Sequence, residues 1–171
     1  IAEDHLGLND IDTLEDLARV KSVVMESIKR DGWAVTNADN MWCVKIAENL
    51  KCNVAYFSMD ENNPVIKAHC KRGGMAAVFE NGFVTIRKGD WKIRIEKVTH
   101  IPITLAGKAR FMIENVLAAA LAGYLQGFRT ENIKLSLETF IPSAALTPGR
   151  MNIFEFKEFR VMIDFAHNAA G

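Results

Sequence analysis

The sequence is short of cysteine and has no excess of charge of either sign. Cys43, Cys52 and Cys70 are odd in number and form no Cys-x-x-Cys pair. That argues against a disulfide framework or a zinc site and fits a reducing cytoplasm. The 21 basic residues balance 21 acidic ones, so no global field draws the chain to nucleic acid or to an anionic membrane. No apolar run approaches the roughly 20 residues that a membrane span needs. The first residues carry no basic region followed by an apolar core, so no signal peptide is visible. Also missing are a Gly-x-x-x-x-Gly-Lys-Ser/Thr phosphate loop, a Gly-x-Gly-x-x-Gly turn and a Gly-x-Ser-x-Gly elbow. There is no initiator Met, and the chain stops directly after an apolar strand pattern. It therefore reads as part of something larger.

What is present is the profile of a soluble globular protein: 171 residues, 49% hydrophobic and 25% charged. Asp12 and Glu15 have capping-box spacing and predict a helix running to about Arg30. The run 33–36 reads as a short strand, 41–49 as a helix and 53–57 as a second strand. Strand, helix and strand at this length make a βαβ unit and a parallel sheet. Two β-like runs, 75–79 and 83–87, flank Asn81-Gly82, the strongest short hairpin signal. Gly89-Asp90 makes another turn before 91–98. Ile66, Val78, Val84, Ile86, Ile93 and Ile95 are expected on one face of a small antiparallel sheet. The segment 110–126 is apolar on almost every side and predicts a buried helix. A helix over 130–139 follows. Pro142, Pro148 and Gly149 mark a domain junction near 141–149, and 152–156 and 160–165 read as two strands of a new unit.

Lys21 carries the sharpest chemical signal. Leu14, Leu17, Val24 and Ile28 form one helical stripe, and Lys21 falls in its middle. A cation on a buried face must snorkel, find a partner or change chemically. The snorkelling lysine is the ordinary reading. The chemical one is a metal site: a neutral lysine adds carbon dioxide to give a carbamate, whose two hard oxygens suit Mg²⁺ or Mn²⁺. Burial favours that neutral amine. Asp4-His5, just ahead of the helix, supplies a carboxylate and an imidazole. Arg150 follows Pro148-Gly149 at the junction, where a guanidinium can reach a nucleotide phosphate. Asp164 and His167 lie at the carboxyl end of a strand, where α/β proteins place ribose ligands. Asn115 opens the buried helix and is either a core amide or a ligand.

Taken together, Asp4-His5-Leu6-Gly7, the run Thr13-Leu14-Glu15-Asp16-Leu17-Ala18-Arg19-Val20-Lys21 and Gly32-Trp33-Ala34-Val35-Thr36-Asn37-Ala38-Asp39 resemble the central domain of the Mur ligase superfamily. Thr147-Pro148-Gly149-Arg150-Met151-Asn152 and Asp164-Phe165-Ala166-His167-Asn168 resemble the entry to its C-terminal domain. Order and spacing agree over nearly the whole chain. The resemblance implies an α/β fold in two parts. Residues 1–147 would be a partial central, ATP-binding domain, with a βαβ parallel sheet and a small antiparallel β-meander but no phosphate loop. Residues 148–171 would open a Rossmann-like C-terminal domain.

The resemblance also implies an ATP-dependent amide ligase working through an acyl phosphate, inactive as this piece alone. Its partners would be ATP, Mg²⁺ and an amino-acid or peptide substrate, with neither nucleic acid nor membrane, and the full-length protein would be a homo-oligomer. Carried over by position, His5 and Lys21 are the metal ligands, with Lys21 also catalytic. Asn115 lies near the base, Arg150 at the phosphates, Asp164 on the ribose and His167 near the nucleotide. A peptidoglycan-precursor ligase and a non-catalytic assembly module are the alternatives. Three departures from the family pattern stand out: Asn40-Met41 where Asp-Pro is usual, Phe111-Met112 where His-Asn is common, and Ala169 where proline is common.

Overall fold

The computed structural model describes residues 1–3 and 6–165. It is a mixed α/β structure built on one five-stranded sheet in the order β1-β2-β3-β4-β5. The strands are β1 (Trp33–Asn37), β2 (Asn53–Ser58), β3 (Met75–Glu80), β4 (Phe83–Lys88) and β5 (Trp91–Lys97). The first three run parallel and the last three antiparallel. The expected parallel unit and the expected meander are thus one continuous sheet, joined through β3.

Side-chain caps set where the helices begin. Helix α1 (Leu14–Glu26) opens on a capping box between Thr13 and Asp16, one residue later than the spacing of Asp12 and Glu15 suggests. Asn40 caps α2 (Met41–Ala47), its Oδ1 accepting from the amides of Trp42 and Cys43. Asn63 caps α3 (Pro64–Lys71) in the same way, with Pro64 pre-setting the first turn. Helix α3 is the crossover between β2 and β3 and ends at Gly73, whose φ of +85° is left-handed. Asn81 and Gly82, at φ +51° and +82°, make the tight turn between β3 and β4.

Both crossovers lie on one face of the sheet. There Ala47, Ile66 and Cys70 pack against Tyr56, Ala76 and Val78. On the other face, α4 (Arg110–Leu125) and α5 (Thr130–Thr139) cover Ala55, Ala77, Val84, Ile86 and Ile95 with Ile113, Leu117, Leu121 and Ile133. The six apolar residues expected on one face are therefore divided. Ile66 belongs to a helix and packs with Val78 on the crossover side, because alternation along β3 and β4 sends neighbours to opposite faces.

Helix α4 is not buried on every side, contrary to the expectation from its sequence: Phe111 is 51% exposed. After α5, a linker leads to a separate hairpin of β6 (Asn152–Glu155) and β7 (Arg160–Ile163). Among the described residues, no helix is long and apolar enough to cross a membrane.

Candidate functional site

The start of α4, the 147–152 linker and the end of β7 enclose a cavity of about 960 Å³. Phe111, Met112 and Asn115 come from one end of α4, Arg150 and Met151 from the linker, and Met162, Asp164 and Phe165 from the hairpin. Ile103, Leu105 and Lys108 complete the wall. The lining is mostly apolar with a few converging polar groups, the usual make-up of a small-molecule site. Its charges are two cations, Lys108 and Arg150, and one acid, Asp164. The Arg150 guanidinium lies 5.8 Å from the centre of the Phe165 ring. Asp164 Oδ2 accepts the Met151 N–H at 2.8 Å, leaving its second oxygen for a further donor. Among the described residues, the Asn115 amide makes only a long contact, 3.6 Å, to Met112 Sδ.

Three of the sequence-predicted residues, Asn115, Arg150 and Asp164, therefore share one cavity although 49 positions separate the first from the last. His5 and His167 lie outside the described residues. The buried position expected of Lys21 requires a correction. The residue is exposed, and so are its neighbours Val20, Val23 and Val24, the last at 73%. The buried face of α1 runs instead through Leu17, Ala18 and Ser22. Ser22 can be buried because its hydroxyl lies 2.8 Å from the Arg19 carbonyl and 2.6 Å from the Glu26 carboxylate. Helix α1 packs on α2 alone among its larger contacts, so a second apolar stripe faces outward.

A second polar group forms at the carboxyl ends of β1 and β2. Asp39 accepts from Ser58 Oγ at 2.5 Å, the Met59 amide at 2.7 Å and Asn63 Nδ2 at 2.9 Å. Asn37 Nδ2 reaches Glu114 Oε2 at 3.4 Å. Burial pushes the Glu114 carboxyl up, the nearby Asp39 charge adds to this, and Arg110 opposes it. The sequence shows Asn37-Ala38-Asp39 only as a turn; its role as a latch on the 58–63 loop is tertiary.

A third group joins α5 to β5. Ligand atoms of Glu96, His100 and Glu138 come within 4.8 Å of one another. Lys134 already sits there, 2.7 Å from Glu96 Oε2, with His100 Nδ1 at 2.8 Å from Oε1. Burial raises the Glu96 pKa, but Lys134, the Lys97 amide and His100 outweigh it and hold the carboxyl down at about 2. The group is an ion-pair clasp rather than an empty cation site.

Comparison with known proteins gives a consistent set of relatives. A family profile described as the Mur ligase middle domain matches residues 1–123. The cyanophycin synthetase of Geminocystis herdmanii is 52% identical over all 171 residues, which cover 20% of that protein. The cyanophycin synthetase of Synechocystis sp. is 49% identical over the same span, again 20% of its length. A UDP-N-acetylmuramyl-tripeptide synthetase of Lactococcus lactis is 30% identical over 98% of the chain and 30% of that protein. The chain thus spans about a fifth of the length of these cyanophycin synthetases.

Proposed function

The chain belongs to the Mur ligase family through its middle domain, and from that membership we propose that it is part of an ATP-dependent amide ligase. The finer reading is a ligase of the cyanophycin-synthetase kind, joining arginine to aspartate side chains of a poly-aspartate backbone. Identity of about half to two proteins of that name, against 30% to a muramyl-peptide synthetase, favours it over a cell-wall ligase.

One observation carries the proposal: Asn115, Arg150 and Asp164 line the same cavity, beside Lys108 and an apolar wall. These residues fit a nucleotide. The exposed Phe111 ring, with Met112, Met162 and Phe165, offers a flat apolar surface to a base. Asn115 supplies an amide for its edge. Arg150 and Lys108 balance phosphate charge, Arg150 by a forked geometry. The oxygen of Asp164 that Met151 does not use is an acceptor for a ribose hydroxyl. When bound, ATP supplies the phosphoryl group that turns a substrate carboxylate into an acyl phosphate open to an amine. The residues of this chain orient the nucleotide and hold its charge for that transfer.

The described residues do not assemble a Mg²⁺ site. The Lys21 amine is exposed on α1 and makes no ion pair among them, and the Glu96 cluster is filled by Lys134. The proposal therefore rests on the nucleotide cavity. We read β6 and β7 as the opening of a second domain. The exposure of Phe154, Phe156, Phe159, Met162 and Ile163 supports that reading, because a two-stranded hairpin is marginal on its own.

The test is ATP-dependent incorporation of arginine into an aspartate polymer by the full-length protein. Incorporation of a cell-wall amino acid into a muramyl nucleotide instead would defeat the finer reading. The 171 residues contain no phosphate-loop motif, so this chain alone is expected to show no ATPase activity.

A further inference from the structure

We infer that Asn152 is a positioning residue for Arg150: its buried amide closes the 147–152 loop and fixes the point from which the guanidinium enters the cavity. The inference rests on the nucleotide reading above and adds to it a residue that touches no ligand.

The loop has a backbone that does not hold itself. Gly149 and Met151 are both left-handed, at φ +70° and +48°, and the second is a side-chain-bearing residue in a region it seldom adopts. Arg150 sits between them. Asn152 is 5% exposed, and its side chain makes three hydrogen bonds, all within this turn. Its Oδ1 accepts the Gly149 N–H at 2.8 Å. Its Nδ2 donates to the carbonyls of Thr147 at 2.9 Å and of Arg150 itself at 3.2 Å. One planar amide thus ties the backbone on both sides of Arg150.

Two further contacts fix the far side. Asp164 takes the Met151 N–H, and the Met151 side chain packs with Ala109 and Met112 at the start of α4. The Arg150 N–H closes the turn on the Thr147 carbonyl at 3.1 Å. Its guanidinium, by contrast, forms no ion pair among the described residues. A cation that rests against the Phe165 ring and is carried on a pinned backbone is pre-placed for a phosphate, so less order has to be imposed when the anion arrives. Asparagine suits the position by its chemistry. Aspartate has the same shape but sets an oxygen against the Thr147 and Arg150 carbonyls. Serine is too short to span the turn.

The experiment compares Asn152→Asp, Asn152→Ala and Arg150→Ala in the full-length ligase, with Asn152→Ser should either of the first two fail to fold. Three readouts are needed: the Kd of a fluorescent ATP analogue, the KM for ATP against the KM for the amine substrate, and amide hydrogen exchange at Gly149 without nucleotide. We expect Asn152→Asp to weaken nucleotide binding roughly 10-fold and to leave the amine KM within about twofold. Exchange at Gly149 should accelerate. In an Arg150→Ala background the Asn152 change should cost no further affinity. An Asn152 effect of equal size in that background, or unchanged affinity when Arg150→Ala does weaken binding, overturns the inference alone. If Arg150→Ala leaves ATP affinity intact, the nucleotide reading falls and the inference falls with it.

Discussion

Gly74 is held as glycine by space rather than by backbone conformation, and that difference can be measured. Its φ is not left-handed, so the backbone does not itself demand glycine there. A Cβ built on it would lie 2.2 Å from His69 Nε2 and 2.4 Å from two ring carbons. The ring cannot swing away freely. It packs edge-on against Tyr56, with centroids 4.9 Å apart, and its Nε2 is buried without a partner. Moving it loses that aromatic contact, about 0.5–1.5 kcal/mol, and disturbs the face where α3 meets the sheet. Overpacking of this kind costs about 1–3 kcal/mol. Against it stands a gain of about 0.4–1 kcal/mol from stiffening the unfolded chain. Gly74→Ala should therefore destabilise by about 1–2 kcal/mol net, a fall of roughly 2–8 °C in Tm for a chain of this size. In a His69→Ala background the clash is gone and only the gain remains, so the sign should reverse. Urea unfolding of the four variants gives the cycle. The steric argument fails if Gly74→Ala is neutral or stabilising with His69 present, or costs the same in both backgrounds.

Three further outcomes follow from the same packing. Burial first, and then the charge of Arg72, push the His69 pKa below 6.5. The unfolded chain then binds the proton more readily, so stability should fall as pH drops through 6.5 and stop falling below the folded-state value; His69→Gln should flatten that limb in thermal melts. Glu96 is depressed from 4.5 to about 2, so its contribution is complete above 4.5 and is lost as pH falls towards 2. Glu96→Gln should cost about 1–2 kcal/mol at pH 7 and much less at pH 2, read by denaturant unfolding at each pH. Lys21→Ala sits on an exposed helix face and should change stability by less than about 0.5 kcal/mol; a loss above about 2 kcal/mol in calorimetry would refute the exposed placement.

The sequence made the locally determined parts of the fold legible. Asn81-Gly82 announces its hairpin because a left-handed pair is rare and tightly restricted, and the helix over 130–139 falls where its periodicity placed it. Helix α3 was not legible. It is eight residues long and interleaves Lys67, His69 and Lys71 with its apolar positions; its clearest marker is the Asn63-Pro64 cap. Helical spacing found a stripe through Lys21, but spacing identifies a face and not the face that is covered. Here Ser22 goes inside because its hydroxyl is satisfied locally, while Val23 and Val24 stay out. The convergence of Asn115, Arg150 and Asp164 was visible through family resemblance, not through periodicity. Asn152 and Asp39 were not visible as anchors, because their partners are backbone groups that only the folded loops bring within reach.

Helix α4 ties the thickness of the core to the shape of the pocket. Its 16 residues extend about 24 Å. One part rests on the methyl groups of Ala55 and Ala77, both fully buried, while Phe111, Met112 and Asn115 at the other end form pocket wall. Two alanines under a rigid rod act as shims. A valine at either would lift the rod and tilt its free end, so the pocket's shape is open to tuning from the sheet beneath the helix, by residues that do not line the pocket.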